Sequence, residues 1–312
     1  MNEPVKRAVL FSGQGAQKVG MGADLIEKSP SARALYQLAD ERLLWPLSDV
    51  SVQGPEEKLT ETRVCQPALY VHGLAVLAAY RDFAGRPLRF DAAAGLSLGE
   101  YTAHAAAGTF SFTAGLHLVD MRGRLMQAAC ETTQGTMITL LGATPEQARE
   151  IAAACDVDVA NLNCPGQIVL SGETVKMEGV AEAAKTRGIR RVIPLKVAGA
   201  YHSRLMAIAA TGLAPYLTAA HLEAPAVPVV ATFTADVAAG ADQILRALED
   251  QVCGSVRWEE SIRRLLALGI GEFVECGPRE IIAGLIKRID PNVRCLSLET
   301  YADIAGHADA LA

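Results

Sequence analysis

Ala92-Ala93-Ala94-Gly95-Leu96-Ser97-Leu98-Gly99-Glu100-Tyr101 is the stretch on which the fold turns. The three alanines read as a short small-residue strand, Gly95–Gly99 has the form GxSxG, and a helix is expected from about Glu100. Strand, turn and helix in that order form a nucleophile elbow, which holds a serine hydroxyl exposed on a tight turn. The flanking glycines let neighbouring backbone approach without a Cβ in the way. The following helix aims its first N–H groups at the turn, so Leu98 N–H can donate to an oxyanion. The competing reading is a serine in an ordinary glycine-rich strand-to-helix turn.

Upstream, Val9-Leu10-Phe11 reads as a buried strand leading into Ser12-Gly13-Gln14-Gly15-Ala16-Gln17. A dinucleotide loop would need glycine at position 18, where the chain has Lys18. A tight turn exposing backbone N–H groups fits better. Downstream, residues 66–83 read as a helix with Pro67 in its first turn. Ala114 to about Cys130 reads as an amphipathic helix carrying Arg122.

Residues 135–197 follow a different order. A strand at Met137–Leu141 is followed by Thr144-Pro145-Glu146-Gln147, which has the form of a capping box with proline in the first turn. Strands are expected near Val157–Ala160 and Ile168–Leu170, a helix over Val175–Arg187 and a strand over Val192–Val197. This β-α-β-β-α-β order is ferredoxin-like. After it, strands at Val227–Ala231 and Phe273–Cys276 alternate with helices at Arg257–Leu268 and Glu280–Arg288. The expected fold is α/β: a large α/β-hydrolase-like domain over 1–132 and 199–312, with a mainly parallel sheet, and an inserted small subdomain over 133–198.

A chain of 312 residues, half of them hydrophobic, can bury a sizeable core. A formal net charge of −6 and no dense basic run argue against nucleic acid as partner. The apolar runs are too short for a membrane helix. The stretch Met1–Arg7 lacks the apolar length of a signal peptide. Seven scattered cysteines without a CxxC suit free thiols in a reducing cytoplasm better than a disulfide framework or a zinc site.

A nucleophilic serine needs a base. Of the six histidines, His72, His104 and His117 fall in helical patterns, His221 has no assigned element, and His307 is in a polar tail. His202, in Gly199-Ala200-Tyr201-His202-Ser203, follows a strand end, where catalytic groups collect in α/β folds. Arg122, beside Gly123, could grip a carboxylate in bidentate fashion or serve a salt bridge.

Taken in order, the motifs resemble the malonyl-coenzyme A:acyl carrier protein transacylase family along nearly the whole chain. Gly13–Gln17 resembles its GQGxQ, Gln66-Pro67-Ala68 its QPA, and Gly95–Tyr101 its GxSxGEY. Arg122-Gly123 with Met126-Gln127 resembles RGxxMQ, and Asn161–Gln167 resembles NxNxPGQ. His202–Met206 resembles HSxLM, Val256-Arg257-Trp258 VRW, and Glu275–Pro278 ExGP. The resemblance implies Ser97 as nucleophile and His202 as base. It makes the N–H groups of Gln14 and Leu98 the oxyanion hole, and the backbone carbonyl of Gln251 the group that orients the histidine. It implies Arg122 as the carboxylate anchor, with Met126, Asn163, Gln66 and Tyr201 lining the substrate site. It further implies malonyl-coenzyme A and an acyl carrier protein as partners, a monomer, a cytoplasmic enzyme of fatty acid or polyketide synthesis, and no metal or cofactor. Three positions depart from the family pattern: Leu96 where histidine is common, Tyr201 where phenylalanine is frequent, and Arg279 in place of a small residue. Arg204, Lys287 and Arg288 are candidates for a basic patch facing an acidic carrier, although scattered solvated charges are the simpler reading. A thioester hydrolase of the same fold and a non-catalytic docking subunit are the competing functions. Arg122 weighs against the first, and the intact Ser97, His202 and Arg122 set against the second.

Overall fold

The structure, a computed structural model, describes residues 5–311; Met1–Pro4, the head of the N-terminal stretch read above, lie outside the described residues. In chain order the strands are β1 (Lys6–Phe11), β2 (Ala92–Gly95), β3 (Gly135–Leu141), β4 (Asp158–Cys164), β5 (Gln167–Glu173), β6 (Arg191–Pro194), β7 (Val229–Ala231), β8 (Asp236–Val237), β9 (Ile270–Cys276) and β10 (Arg294–Leu298).

Six of them form one sheet in the order β10-β9-β1-β2-β7-β8, parallel except for the edge strand β8. Side chains alternate across a strand, and here both faces are covered. Val9, Phe11, Ala93 and Val274 join one apolar core, while Ala8, Leu10, Ala92, Ala94 and Phe273 join a second on the opposite face. That two-sided burial is why these strands read as apolar runs. The register sets Phe11 beside both Gly95 and Cys276, so β1, β2 and β9 end level with one another. Functional loops in open α/β sheets collect at such carboxyl ends.

The remaining strands form an antiparallel sheet in the order β4-β5-β3-β6, the ferredoxin-like topology expected from the βαββαβ pattern. Its Ile138, Leu140, Ile168 and Leu170 pack beneath its own helices, Pro145–Cys155 and Val180–Thr186. Alternate positions Met137, Thr139 and Val169 face a cavity shared with the large sheet. Backbone bonds join the two units: Leu162 N–H donates to Val256 O at 2.9 Å and Val256 N–H to Ala160 O at 2.8 Å. Val256, of the Val-Arg-Trp motif, is thus a stitch between the sheets.

Several boundaries differ from expectation, each for a local reason. The helix expected over 66–83 runs Thr62–Ala84, with Pro67 inside it. Glu61 O accepts from the N–H groups of both Val64 and Cys65, so the first turn closes upstream of the proline. The helix expected over 175–187 is two, Thr174–Met177 and Val180–Thr186, broken at Gly179. The strand expected over 192–197 stops at Pro194, and the Val197 N–H folds back onto Leu195 O. Residues 195–198 therefore line the cavity instead of extending the sheet. His307, read as part of a polar tail, ends the helix Tyr301–His307.

Glu275, of the Glu-Cys-Gly-Pro motif, is structural. Its buried carboxylate accepts from the N–H groups of Ile282 and Ala283, at the start of the helix Ile281–Ile289, and from the hydroxyls of Ser12 and Ser297. One side chain thus ties together the ends of β1, β9 and β10.

Candidate active site

Ser97 sits between β2 and the helix Gly99–Ala106, with its backbone in the left-handed region at φ 54°. A Cβ on Gly95 would lie 1.9 Å from Gly99 C, and one on Gly99 would lie 2.2 Å from Phe11 O. Only glycine at both positions lets the elbow close this tightly against β1. His202 also has a positive φ, 55°. Strain at two non-glycine residues facing each other is characteristic of functional centres.

The Ser97 Oγ lies 2.8 Å from His202 Nε2, and His202 Nδ1 lies 2.8 Å from the Gln251 backbone carbonyl oxygen. A carbonyl only accepts, so the neutral ring carries its proton on Nδ1 and leaves Nε2 free to take the serine proton. Burial, and then the Arg122 charge, press the His202 pKa down to about 4. The free ring is therefore neutral at physiological pH. Neither the Gln14 nor the Leu98 N–H has an acceptor among the described residues, and both belong to turns at the ends of β1 and β2.

Arg122 projects from the helix Phe112–Thr132 and is 1% exposed. Its guanidinium donates to Ser97 Oγ at 3.1 Å, Gln251 Oε1 at 3.0 Å and Gln66 Oε1 at 2.8 Å, and it lies 5.5 Å from the centre of the Tyr101 ring. Its Nε finds no partner, and among the described residues no carboxylate pairs with it. The salt-bridge reading therefore fails among the described residues: the buried cation lies beside Ser97 with no carboxylate in contact.

These groups open into a cavity of about 750 Å³ between the two sheets. It is lined by Gln14, Gln66, Leu96, Ser97, Arg122, Met126, Asn163, Tyr201 and His202, with Lys196 and Arg288 on its exposed side. Gln66 bridges Arg122 and Met126 Sδ. Asn163 Oδ1 is buried without a partner. Tyr201 OH meets Thr62 Oγ1 and Gln14 Nε2, which holds its ring in the wall. Leu98 lines no cavity; only its backbone is placed to act. Of the residues expected at the site, all but Leu98 and Gln251 line this cavity, and Gln251 meets His202 and Arg122 from behind it.

The other histidines are accounted for elsewhere. His72 contacts Tyr36, His104 contacts Thr109, His117 and His221 are exposed, and His221 pairs with Glu223. Arg204, a candidate for a basic patch, is instead tied to Asp156 and Asp158. Arg279 has a φ of 62°, and nothing in the structure gives it a function.

Two polar residues here went unassigned by sequence. Glu100 is fully buried and accepts from Thr232 N–H at 2.8 Å, Thr232 Oγ1 at 2.7 Å and Gln251 Nε2 at 2.6 Å. Burial raises its pKa to about 7. Its only signal in the sequence is its place directly after the elbow; Thr232 has none.

Comparison with known proteins gives a consistent set of relatives. The family described as acyl transferase domain matches residues 9–288. A malonyl CoA-acyl carrier protein transacylase of Bacillus subtilis is 39% identical over 298 residues, covering 94% of this chain and 93% of that protein. The crystal structure of a malonyl-CoA:acyl carrier protein transacylase of Xanthomonas oryzae superposes with a TM-score of 0.93 at 38% identity, covering 99% of both chains. A malonyl-transacylase solved in complex with its type II polyketide acyl carrier protein superposes with a TM-score of 0.92 at 33% identity, covering 98% of this chain and 99% of that one.

Proposed function

Because the chain belongs to the acyl transferase domain family, we infer that it moves a malonyl group from malonyl-coenzyme A to the phosphopantetheine thiol of an acyl carrier protein, through an ester on Ser97. The observation that carries this reading is Arg122: a buried guanidinium without a counter-ion, 3.1 Å from the nucleophile. An acyl group bearing a free carboxylate satisfies it, whereas a plain acyl chain leaves it unpaired at a cost of about 1–3 kcal/mol or more.

The reaction is ping-pong. Ser97 Oγ attacks the thioester carbonyl as its proton passes to His202 Nε2, and the Gln251 carbonyl steadies the resulting imidazolium through Nδ1–H. The oxyanion is received by the N–H groups of Gln14 and Leu98; such a donor is worth about 10²–10³ in rate. The C–S bond then breaks, and the departing thiolate takes the proton back from Nε2. In the second half the carrier's thiol gives His202 its proton and attacks the ester. Ser97 leaves and is reprotonated. Gln66, Met126, Asn163 and Tyr201 form the wall that seats the acyl group and its arm, while Lys196 and Arg288 face the phosphates.

Intact mass after brief exposure to malonyl- or acetyl-coenzyme A, with and without holo carrier, tests this. The expected result is a malonyl adduct that is absent in Ser97→Ala, is discharged by the carrier, and forms far faster than an acetyl adduct. Decay to free malonate at a rate indifferent to carrier would make the protein a hydrolase. No adduct from either donor would overturn the catalytic assignment.

A further inference from the structure

We propose that Glu100 is a positioning residue for acyl transfer, orienting the Gln251 side chain and, through it, Arg122 and His202. Glu100 lies one residue past the elbow glycine, in the first turn of the helix Gly99–Ala106, and points away from the cavity into the protein. Its Oε2 collects three donors: the Thr232 N–H, the Thr232 hydroxyl and Gln251 Nε2. Its Oε1 has no partner.

The chemistry of the Gln251 amide gives this arrangement its consequence. An amide has a donor end and an acceptor end, and Glu100 Oε2, which receives three donors, only accepts; a proton taken up by this carboxyl sits on the partnerless Oε1. Glu100 therefore fixes which way the amide lies. With Nε2 turned to Glu100 and to Ser97 O at 3.1 Å, Oε1 is turned to Arg122 Nη2 at 3.0 Å. The reversed amide would set N–H against N–H at Arg122 and oxygen against oxygen at Glu100, unfavourable at both ends. The same residue's backbone oxygen holds His202 Nδ1. One buried carboxylate thus governs, through a single glutamine, the cation at the nucleophile and the acceptor behind the base. Thr232, directly after β7, anchors the carboxylate from the far side.

This inference rests on the roles given to Ser97, His202 and Arg122, which adduct formation by the wild type and its absence in Ser97→Ala decide separately. Given that adduct, the test is a double-mutant cycle read as the malonylation rate at saturating malonyl-coenzyme A and as the malonyl-to-acetyl rate ratio. Glu100→Gln keeps the shape but loses the charge, and it brings an amide NH2 that must sit either against the three donors or where Oε1 has no partner. It is expected to slow malonylation about 10–10²-fold, the scale of a misplacement near 1 Å, and to lower the malonyl-to-acetyl ratio. In a Gln251→Ala background, which keeps the backbone carbonyl, the same substitution should add less than about 2-fold, because its route of action is gone. Thr232→Val, which removes one anchor with little change of shape, should give a smaller effect with the same coupling, and it decides the question if Glu100→Gln does not fold. Effects that multiply across the cycle with the malonyl-to-acetyl ratio unchanged would make Glu100 a structural strut and overturn the proposal.

Discussion

On the proposed reading Arg122 concentrates the site's specificity in one charge, and that charge also acts on His202. Burial is the larger cause of the low His202 pKa and the Arg122 cation the second. Only the neutral ring can take the serine proton, so kcat/KM should stay level as pH falls and drop only when the ring protonates, at a pH well below 6.5. Replacing Arg122 with methionine removes a positive neighbour, which favours the imidazolium and raises the pKa. With acetyl-coenzyme A as donor, the acid limb of Arg122→Met should therefore move up relative to wild type, part of the way toward 6.5. With malonyl-coenzyme A the same variant should lose its preference for the carboxylated donor. An acid limb near 6.5 in both proteins would mean that the histidine is solvated. Ser97, His202 and Arg122 were legible in the sequence because each lies in a short pattern whose chemistry is local. Glu100 and Thr232 meet across 132 residues, and neither composition nor spacing marks such a pair. The same holds for the absence of a counter-ion at Arg122, which only packing reveals.

At the level of elements, the elbow depends on two glycines more than on the serine they flank. A methyl at Gly99 would meet the carbonyl oxygen of Phe11 in β1, a backbone atom that cannot rotate aside. Gly99→Ala should destabilise the fold by about 1–3 kcal/mol. It should also slow malonylation of the folded fraction by about 10², since the turn must shift to admit the methyl. Urea unfolding together with adduct rates checks both; a variant that loses stability while keeping the wild-type rate would show that the elbow adjusts without moving Ser97. Far from the site, the helix Pro145–Cys155 has the capping box read from Thr144 and Gln147. There Thr144→Ala should cost about 1 kcal/mol and leave the rate unchanged. Such signals were readable because strand, turn and cap patterns occupy a few consecutive residues. Pro67 misled because a proline at a helix start and a proline one turn inside look alike until Glu61 is seen closing the first turn. The edge strands β8 and β10 gave little signal: the first is two residues long, and the second is only partly buried.

Across the whole molecule, the reaction chamber belongs to neither sheet alone. Gln14, Ser97 and Leu98 lie in the loops after β1 and β2 of the large sheet, His202 lies in the connection that follows β6 of the small one, and β3 and β5 supply Met137, Thr139 and Val169 as the facing wall. The order of elements made both units readable, but the cavity arises from their packing, and no single segment encodes it. A ligand that fills the chamber touches both units and should stabilise the assembled form by mass action, by about 2.7 kcal/mol at a concentration one hundred times Kd. The shift per kcal/mol shrinks as a chain grows, so for 312 residues it falls below the roughly 2–4 °C found for domains of 150–250 residues, and the rise in Tm is about 4 °C. Ser97→Ala, which cannot turn over, makes the measurement clean. Malonyl-coenzyme A should raise its Tm, and adding Arg288→Ala or Lys196→Ala should shrink that rise while leaving the unliganded Tm near its original value. Both side chains are exposed on the cavity's open side, where loss of a positive charge removes an attraction to phosphate without unpacking the core. The contribution should fade as salt is added, because an exposed charge is screened within about 8–10 Å. A rise that both variants leave intact at low salt would move the phosphates away from Lys196 and Arg288 and direct the search to another part of the rim.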